Sequence, residues 1–354
     1  MIQDLVRGHL REFKPYQSAR SEMKDISADR EFVFLDANEL ALGSPVELNG
    51  LKLNRYPDPY QRELRDALAQ SHQVNAESVF VGVGSDEIID LLIRLFCEPG
   101  KDAVLILQPT YGVYGVSAAL NNVRRIDVEL NENFHIDTEK TLRAVTSETK
   151  LIFCCTPNNP TGNLLNKNDI MKLADAAGCM VVIDEAYAEF ADADQVIQPK
   201  NVASKENLII LKTLSKAWGS AGIRLGYCVG HPDLIAYLLR IKAPYNINTV
   251  TSSLALNVLS SGNFMCTAVA TIRKEKEKLI NILRTYKDVV HIYPSDANFI
   301  LVKFRDAERA YEKLLQGGIL VRRRVEPRLK NCLRITIGSE EENILLTQIL
   351  SEMK

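Results

Sequence analysis

No uninterrupted apolar run of about 18 residues occurs in this chain, which argues against a membrane-spanning helix. The opening stretch "MIQDLVRGHLREFKPYQ" lacks the apolar core that a secretory signal requires. Cysteines are few and irregular: seven in 354 residues, with one adjacent pair at Cys154–Cys155 and no CxxC spacing. An odd count without ligand-like spacing argues against both a disulfide framework and a structural zinc site, so no metal is expected. The five histidines are scattered and read as core or surface residues. Formal charge is only −2, and no basic extension marks a nucleic-acid surface. These absences leave an expected cytoplasmic protein with small-molecule partners, engaging neither membrane nor nucleic acid.

What remains is an ordinary globular composition, 46% hydrophobic and 25% charged. The length suits roughly two domains of about 100–200 residues each. Near-continuous aliphatic runs read as strands buried on both faces: "SVFVGVG" (78–84), "AVLILQ" (103–108), "RRIDVEL" (124–130), "KLIFCC" (150–155), "MVVIDE" (180–185), "NLIILK" (207–212) and "LGYCVG" (225–230). Helical patterns such as "SDEIIDLLIRLFC" and "NKNDIMKLADAAG" separate them. Such alternation predicts an α/β fold whose large domain carries a mostly parallel sheet flanked by helices.

After about residue 232 the rhythm changes. A long helical region spans roughly 249–286, and "KEKEK" within it reads, taken alone, as a solvated helix face. "ANFILVKF", "DAERAYEKLLQGG", a short "ILVR" run, "CLRITIG" and a final helix follow, as in a smaller α+β domain. The expected division is an N-terminal arm over 1–35, a large domain over 36–245 and a small C-terminal domain over 246–354.

Four motifs fall where strands end, the place at which open α/β sheets bind ligands. In "GVGSDEIID" (82–90), Gly84 permits a tight turn, Ser85 is placed as an N-cap, and the first-turn N–H groups form an anion seat. A routine helix start would read the same, and neither the third glycine of a dinucleotide fingerprint nor a GK[ST] is present. "TPNNPTG" (156–162) frames a pair of asparagines between prolines, so that an amide can donate to a ligand oxygen; a bare turn requires less. "VVIDEAY" (181–187) ends an apolar run in Asp184 and Glu185, acids that need a cation or donor, or else cap the next helix. "TLSKAWGSAGIRLG" (213–226) sets Lys216 among small residues, with Arg224 eight positions later. A desolvated lysine can form a Schiff base, and an arginine can bind a phosphate. Amine, acid, oxygen donors and anion seat are the groups that pyridoxal 5'-phosphate needs.

"LSKAWGSAGIRLG", "TPNNPTG" and "DEAY", in this order, resemble the fold-type I pyridoxal-phosphate aminotransferases, and the likeness runs from about residue 10 to the end. Within that group "KPYQSAR" (14–20), "LDANE" (35–39), "NRYPDP" (54–59) and "NCLRITIG" (331–338) are most similar to the histidinol-phosphate aminotransferase family. The resemblance implies that Lys216 holds the cofactor as a Schiff base and then shuttles a proton. It implies that Asp184 pairs with the ring nitrogen, that Asn159 and Tyr187 bind the ring oxygen, and that Tyr111 stacks on the ring. Gly84, Ser85, Asp86, Ser215 and Arg224 would hold the cofactor phosphate, with Tyr56 reaching in from the second subunit of a homodimer. For substrate it implies Arg334, assisted by Tyr16, Arg322 and Asn38.

The implied reaction is ping-pong transamination between L-histidinol phosphate and 2-oxoglutarate, giving imidazole acetol phosphate and glutamate, a step of histidine biosynthesis. "VRRRVEP" departs from the family in offering Arg322, Arg323 and Arg324 where one arginine is expected; strand alternation puts Arg322 and Arg324 on one face. "LDANEL" has Leu40 where many relatives have a second asparagine. An aromatic or broad-specificity amino-acid aminotransferase, or a phosphothreonine decarboxylase, would share the cofactor motifs. "KPYQSAR" and the C-terminal arginines favour a phosphorylated amine. A cofactor-sensing regulator would need a DNA-binding extension, which the arm of about 35 residues, with no net charge, does not resemble.

Overall fold

The computed structural model describes residues 33–35, 38 and 57–352. Tyr16, Tyr56, Leu40 and nearly all of the expected arm lie outside the described residues. The strands are, in chain order, β1 (Val33–Phe34), β2 (Val79–Val83), β3 (Ala103–Gln108), β4 (Arg124–Glu129), β5 (Thr149–Cys155), β6 (Met180–Asp184), β7 (Leu208–Thr213), β8 (Leu225–Gly230), β9 (Val289–Ile292), β10 (Phe299–Phe304), β11 (Ile319–Leu320), β12 (Arg322–Arg323) and β13 (Cys332–Thr336).

β2 to β8 form one seven-stranded sheet in the order β2-β8-β7-β6-β5-β3-β4. Pairing is parallel from β7 through β4, and β8 alone runs antiparallel to both of its neighbours, β2 and β7. The period of two in the sequence sorts the side chains between two cores. Phe153, Val182, Ile209 and Leu211 face helices Gly84–Phe96 and Pro232–Ile241, whereas Ile152, Val181, Ile183 and Ile210 face helix Lys167–Ala176. Both faces are covered, which is why the strands read as continuous apolar runs. β4 is the exception: it pairs with β3 alone, and only Val128 in it is buried. The expectation that "RRIDVEL" is buried on both faces is therefore corrected, since an edge position leaves polar side chains in water.

A second sheet, antiparallel in the order β12-β13-β10-β9, follows in the chain. The "ILVR" run splits between sheets, because Ile319–Leu320 pairs in parallel with Val33–Phe34 while Arg322–Arg323 pairs with β13. The helical region over 249–286 is two helices, Thr249–Ser260 and Gly262–Leu283, bent by 72° at Ser261. "KEKEK" is not a wholly solvated face. Glu275 and Lys276 are buried, with Lys276 Nζ donating to the carbonyls of Ser295 (2.6 Å) and Ala297 (3.0 Å). Burial lowers that ammonium to about 8, and the two carbonyls supply the acceptors that water no longer does. Among the described residues no single helix is long and apolar enough to cross a membrane.

One close approach sets the site's floor. A Cβ added at Gly226 of β8 would stand 2.3 Å from both Gly84 C and Ser85 N. Gly226→Ala should therefore destabilise the fold by about 3 kcal/mol, read from the denaturant midpoint, because backbone rather than a pliable side chain must move. Gly222→Ala, which meets nothing within 4 Å, should stay within about 0.5 kcal/mol in the same measurement.

Candidate active site

The expected anion seat lies where β2 meets helix Gly84–Phe96. Gly84 takes φ +69°, and its N–H donates to the Arg224 carbonyl (2.9 Å), stitching this turn to the start of β8. Ser85 is not the N-cap. That position is Val83, whose N–H donates to Glu87 Oε2 (2.5 Å), so Ser85 sits inside the first turn. The chain enters the helix through Gly84, whose left-handed φ a glycine adopts without strain, so the turn is made by the glycine and not by a serine cap. Arg224 itself adopts φ 54°, and its Nη2 lies 3.3 Å from Asp86 Oδ2; Tyr111 OH donates to Asp86 Oδ1 (3.1 Å). Gly84, Ser85, Asp86, Tyr111 and Arg224 thus converge. Ser215 joins through β7: its N–H donates to Thr213 Oγ1 (3.1 Å), whose hydroxyl donates to the Leu225 carbonyl at 3.1 Å.

Asp184 ends β6 opposite Cys155 of β5 and is 2% exposed. Tyr114 OH donates to its Oδ2 at 2.6 Å, and Ala186 N–H to its Oδ1 at 3.2 Å. Burial raises the carboxyl to about 6, and these two donors pull it back. Burial, and then Asp184 beside it, push the Tyr114 phenol up, so it remains a donor. Sequence reasoning missed Tyr114. A weak signal was present in "YGVY", whose tyrosines stand three apart; Tyr111 precedes helix Val113–Leu120 and meets Tyr114 edge to face at 5.6 Å, and Tyr114 stacks on Phe153 at 4.6 Å. Glu185, next in sequence, belongs to another cluster: its Oε2 lies 3.3 Å from Lys212 Nζ, which also reaches Glu189 Oε1 at 3.2 Å. The two acids of "DEAY" therefore do different work.

The remaining predicted residues form a chain that joins the two sheets. Lys216 Nζ lies 5.8 Å from the centre of the Tyr187 ring. The Tyr187 oxygen accepts from Asn38 Nδ2 (3.2 Å) and Asn159 Nδ2 (3.4 Å), while its ring meets Phe299 edge to face at 5.2 Å. Asn159 Oδ1 accepts from Arg334 Nη1 at 2.6 Å, and the Arg334 guanidinium lies over Phe299 at 5.4 Å. Asn38, with φ 53°, is held by Thr336 Oγ1, which donates to its Oδ1 (2.7 Å), and by Asn298 Nδ2, which donates to its carbonyl (2.9 Å). Arg322 is the Cα partner of Arg334 across β12 and β13. Asn158, by contrast, is a staple of the loop: it accepts from Thr110 Oγ1 (2.8 Å) and donates to the Pro109 carbonyl (2.9 Å). A cleft of about 930 Å³ is lined by Phe134, Asn163 and Tyr293; Lys216, Asp184 and Arg334 are not in its walls.

A family model for aminotransferase class I and II matches residues 31–349. The chain belongs to the class I and II aminotransferase family. This aminotransferase is 44% identical to histidinol-phosphate aminotransferase of Parabacteroides distasonis over 354 residues, covering 100% of this chain and 99% of that one. The crystal structure of the histidinol-phosphate aminotransferase from Clostridium acetobutylicum matches it with a TM-score of 0.81 and 26% identity, over 90% of this chain and 98% of that one. The Sinorhizobium meliloti histidinol-phosphate aminotransferase, solved with pyridoxal-5'-phosphate, shares the fold with a TM-score of 0.86, over 99% of this chain and 98% of that one, at 22% identity. The resemblance read from the motifs holds over the full chain.

Asp184 supplies a pH test. Its folded value lies above the usual carboxylate value of 3.8, so the cofactor-free fold holds that proton more tightly than the unfolded chain. The resulting stability is complete below about pH 4 and lost as pH rises through about 6. Asp184→Asn should therefore match the parent at pH 4 and exceed it above pH 6 by up to about 3 kcal/mol, measured by denaturation of the cofactor-free proteins. A constant difference across that range would refute the shift.

Proposed function

We propose that this aminotransferase exchanges the amino group of L-histidinol phosphate with the oxygen of 2-oxoglutarate, giving imidazole acetol phosphate and glutamate. The observation that carries the cofactor part is the donor set around Asp184. A buried carboxylate held by one phenol, an amine, an arginine beside a glycine cradle that a Cβ would fill, and phenol and amide groups between them fit pyridoxal phosphate. The 44% identity over the full chain favours the phosphorylated substrate over an aromatic amino acid or a decarboxylation.

Gly84, Ser85, Asp86, Ser215 and Arg224 would hold the cofactor phosphate, and Tyr111 would cover the ring. Asp184 would keep a proton on the ring nitrogen, since a buried carboxylate strongly favours a cation beside it. Tyr187 and Asn159 would hold the ring oxygen. When bound, pyridoxal phosphate supplies an electron sink for the pair left on the substrate carbon once its proton is removed. Lys216, whose Nζ lies 5.8 Å from the centre of the Tyr187 ring, would carry that proton between carbons. Arg334 and Arg322 would bind the phosphate of one substrate and the carboxylate of the other, a task suited to a planar fork of donors. Asn38 would wall the substrate side. Tyr16 and Tyr56 would complete the site from the arm and from the second subunit of a homodimer acting in the cytoplasm. The arm over 1–35 and the two domains meeting near residue 245 are part of the same reading.

The holoenzyme given L-histidinol phosphate without a keto acid should lose its yellow colour and release a single equivalent of ketone per subunit. Adding 2-oxoglutarate should restore the colour and yield glutamate. Bleaching by an aromatic amino acid but not by histidinol phosphate would overturn the substrate. Lys216→Ala should bind the cofactor yet slow the transfer by about 10²–10⁴-fold or more in a stopped-flow half-reaction.

A further inference from the structure

We propose that Arg324 is a specificity-determining residue of the substrate-anion site, a third guanidinium that favours a phosphate dianion over a carboxylate. The inference rests on the reading that Arg334 and Arg322 hold the substrate's anionic end.

Register places the three arginines together. Arg322 opposes Arg334, and Arg323 opposes Leu333. The N–H of Arg324 then donates to the carbonyl of Cys332 at 3.2 Å, extending the ladder by a residue. Directly opposed residues share a face, and so do residues two apart, so Arg322, Arg324, Cys332 and Arg334 point to one side. That side looks towards the large sheet, because Cys332 packs in the same core as Ile152 and Ile183. Arg323 is turned the other way, where it pairs with Glu308 and covers the Tyr311 ring at 4.9 Å.

Arg324 is also built in rather than trailing in water. Its side chain is 12% exposed, it pairs with Glu326, and its Nε meets no hydrogen-bond acceptor among the described residues. Burial disfavours its charge and Glu326 restores it, while Arg334 and Arg322 lie near enough to oppose it. A guanidinium does not escape by losing its proton. Arg322 and Arg334 add two further positive charges to the same face, and an anion bound there gains attraction from all three. A phosphate monoester carries close to two negative charges at neutral pH and a carboxylate one. Coulomb energy scales with that charge, so whatever factor Arg324 contributes for a carboxylate should be roughly squared for the phosphate.

The test compares Arg324→Leu, Arg324→Lys and, as a control on the opposite face, Arg323→Leu, all as holoenzymes. In separate half-reactions, Arg324→Leu should lower kcat/KM for histidinol phosphate about 25-fold and for 2-oxoglutarate about 5-fold. Arg324→Lys should recover most of both losses, and Arg323→Leu should leave their ratio unchanged. Inhibition constants for methyl phosphate and succinate should show the same split. Equal losses for both substrates would mean that Arg324 only braces the turn through Glu326, and no loss would mean that it takes no part; either overturns the proposal. If the parent enzyme does not turn over histidinol phosphate, the proposed reaction fails, but the methyl phosphate and succinate comparison still decides the role of Arg324.

Discussion

A carboxylate is held in an apolar sheet, and the site is arranged around the cost of keeping it there. Asp184 closes β6 with both faces of the sheet covered, so it has almost no access to water. Such a group needs donors, and the fold supplies two: the Tyr114 hydroxyl and the Ala186 N–H. Tyr114 in turn is locked by stacking on Phe153 of the neighbouring strand, so the donor cannot swing away. Two donors do not cancel the burial, and the carboxyl stays near 6. That residual cost is what the protonated ring of the proposed cofactor would relieve.

A second constraint links the two sheets. Arg334 lies on the small antiparallel sheet, Asn159 in the loop after β5, Tyr187 just after β6, and Asn38 near β1. Hydrogen bonds of 2.6–3.4 Å join them in one buried chain. Groups proposed for the ring and groups proposed for the substrate share partners, so moving one changes the acceptors left to the other. The Phe299 ring braces both ends, meeting the Tyr187 ring edge to face and lying under the Arg334 guanidinium.

The backbone completes the arrangement at the turn proposed to seat the phosphate. Gly84 and Gly226 let two chain segments touch where any side chain would hold them apart, and the resulting bond from Gly84 to the Arg224 carbonyl brings the arginine to the turn. Glycine is needed at Gly84 for its positive φ and at Gly226 for its lack of a Cβ, which are separate reasons.

Strand positions in the large sheet were legible because strands covered on both faces leave long aliphatic runs, and the edge strand β4 broke that pattern only in its exposure. The order of "TPNNPTG", "DEAY" and "LSKAWGSAGIRLG" likewise carried the chemistry, since few tasks require an amine, an acid and an anion seat at three strand ends. The sequence by itself determined the sheet's strands and the residue types at the site. It also showed, by strand alternation, that Arg322 and Arg324 share a face. Tertiary structure alone decided which side chains are partners. Tyr114 and Asp184 lie 70 residues apart, and Asn159 and Arg334 lie 175 apart. It also decided that Lys276 is buried, that Val83 and not Ser85 precedes the helix, and that Arg323 turns to Glu308. Local pattern reports periodicity and turn chemistry, but a partner is set by which strands lie side by side, and that order exists only once the chain has folded.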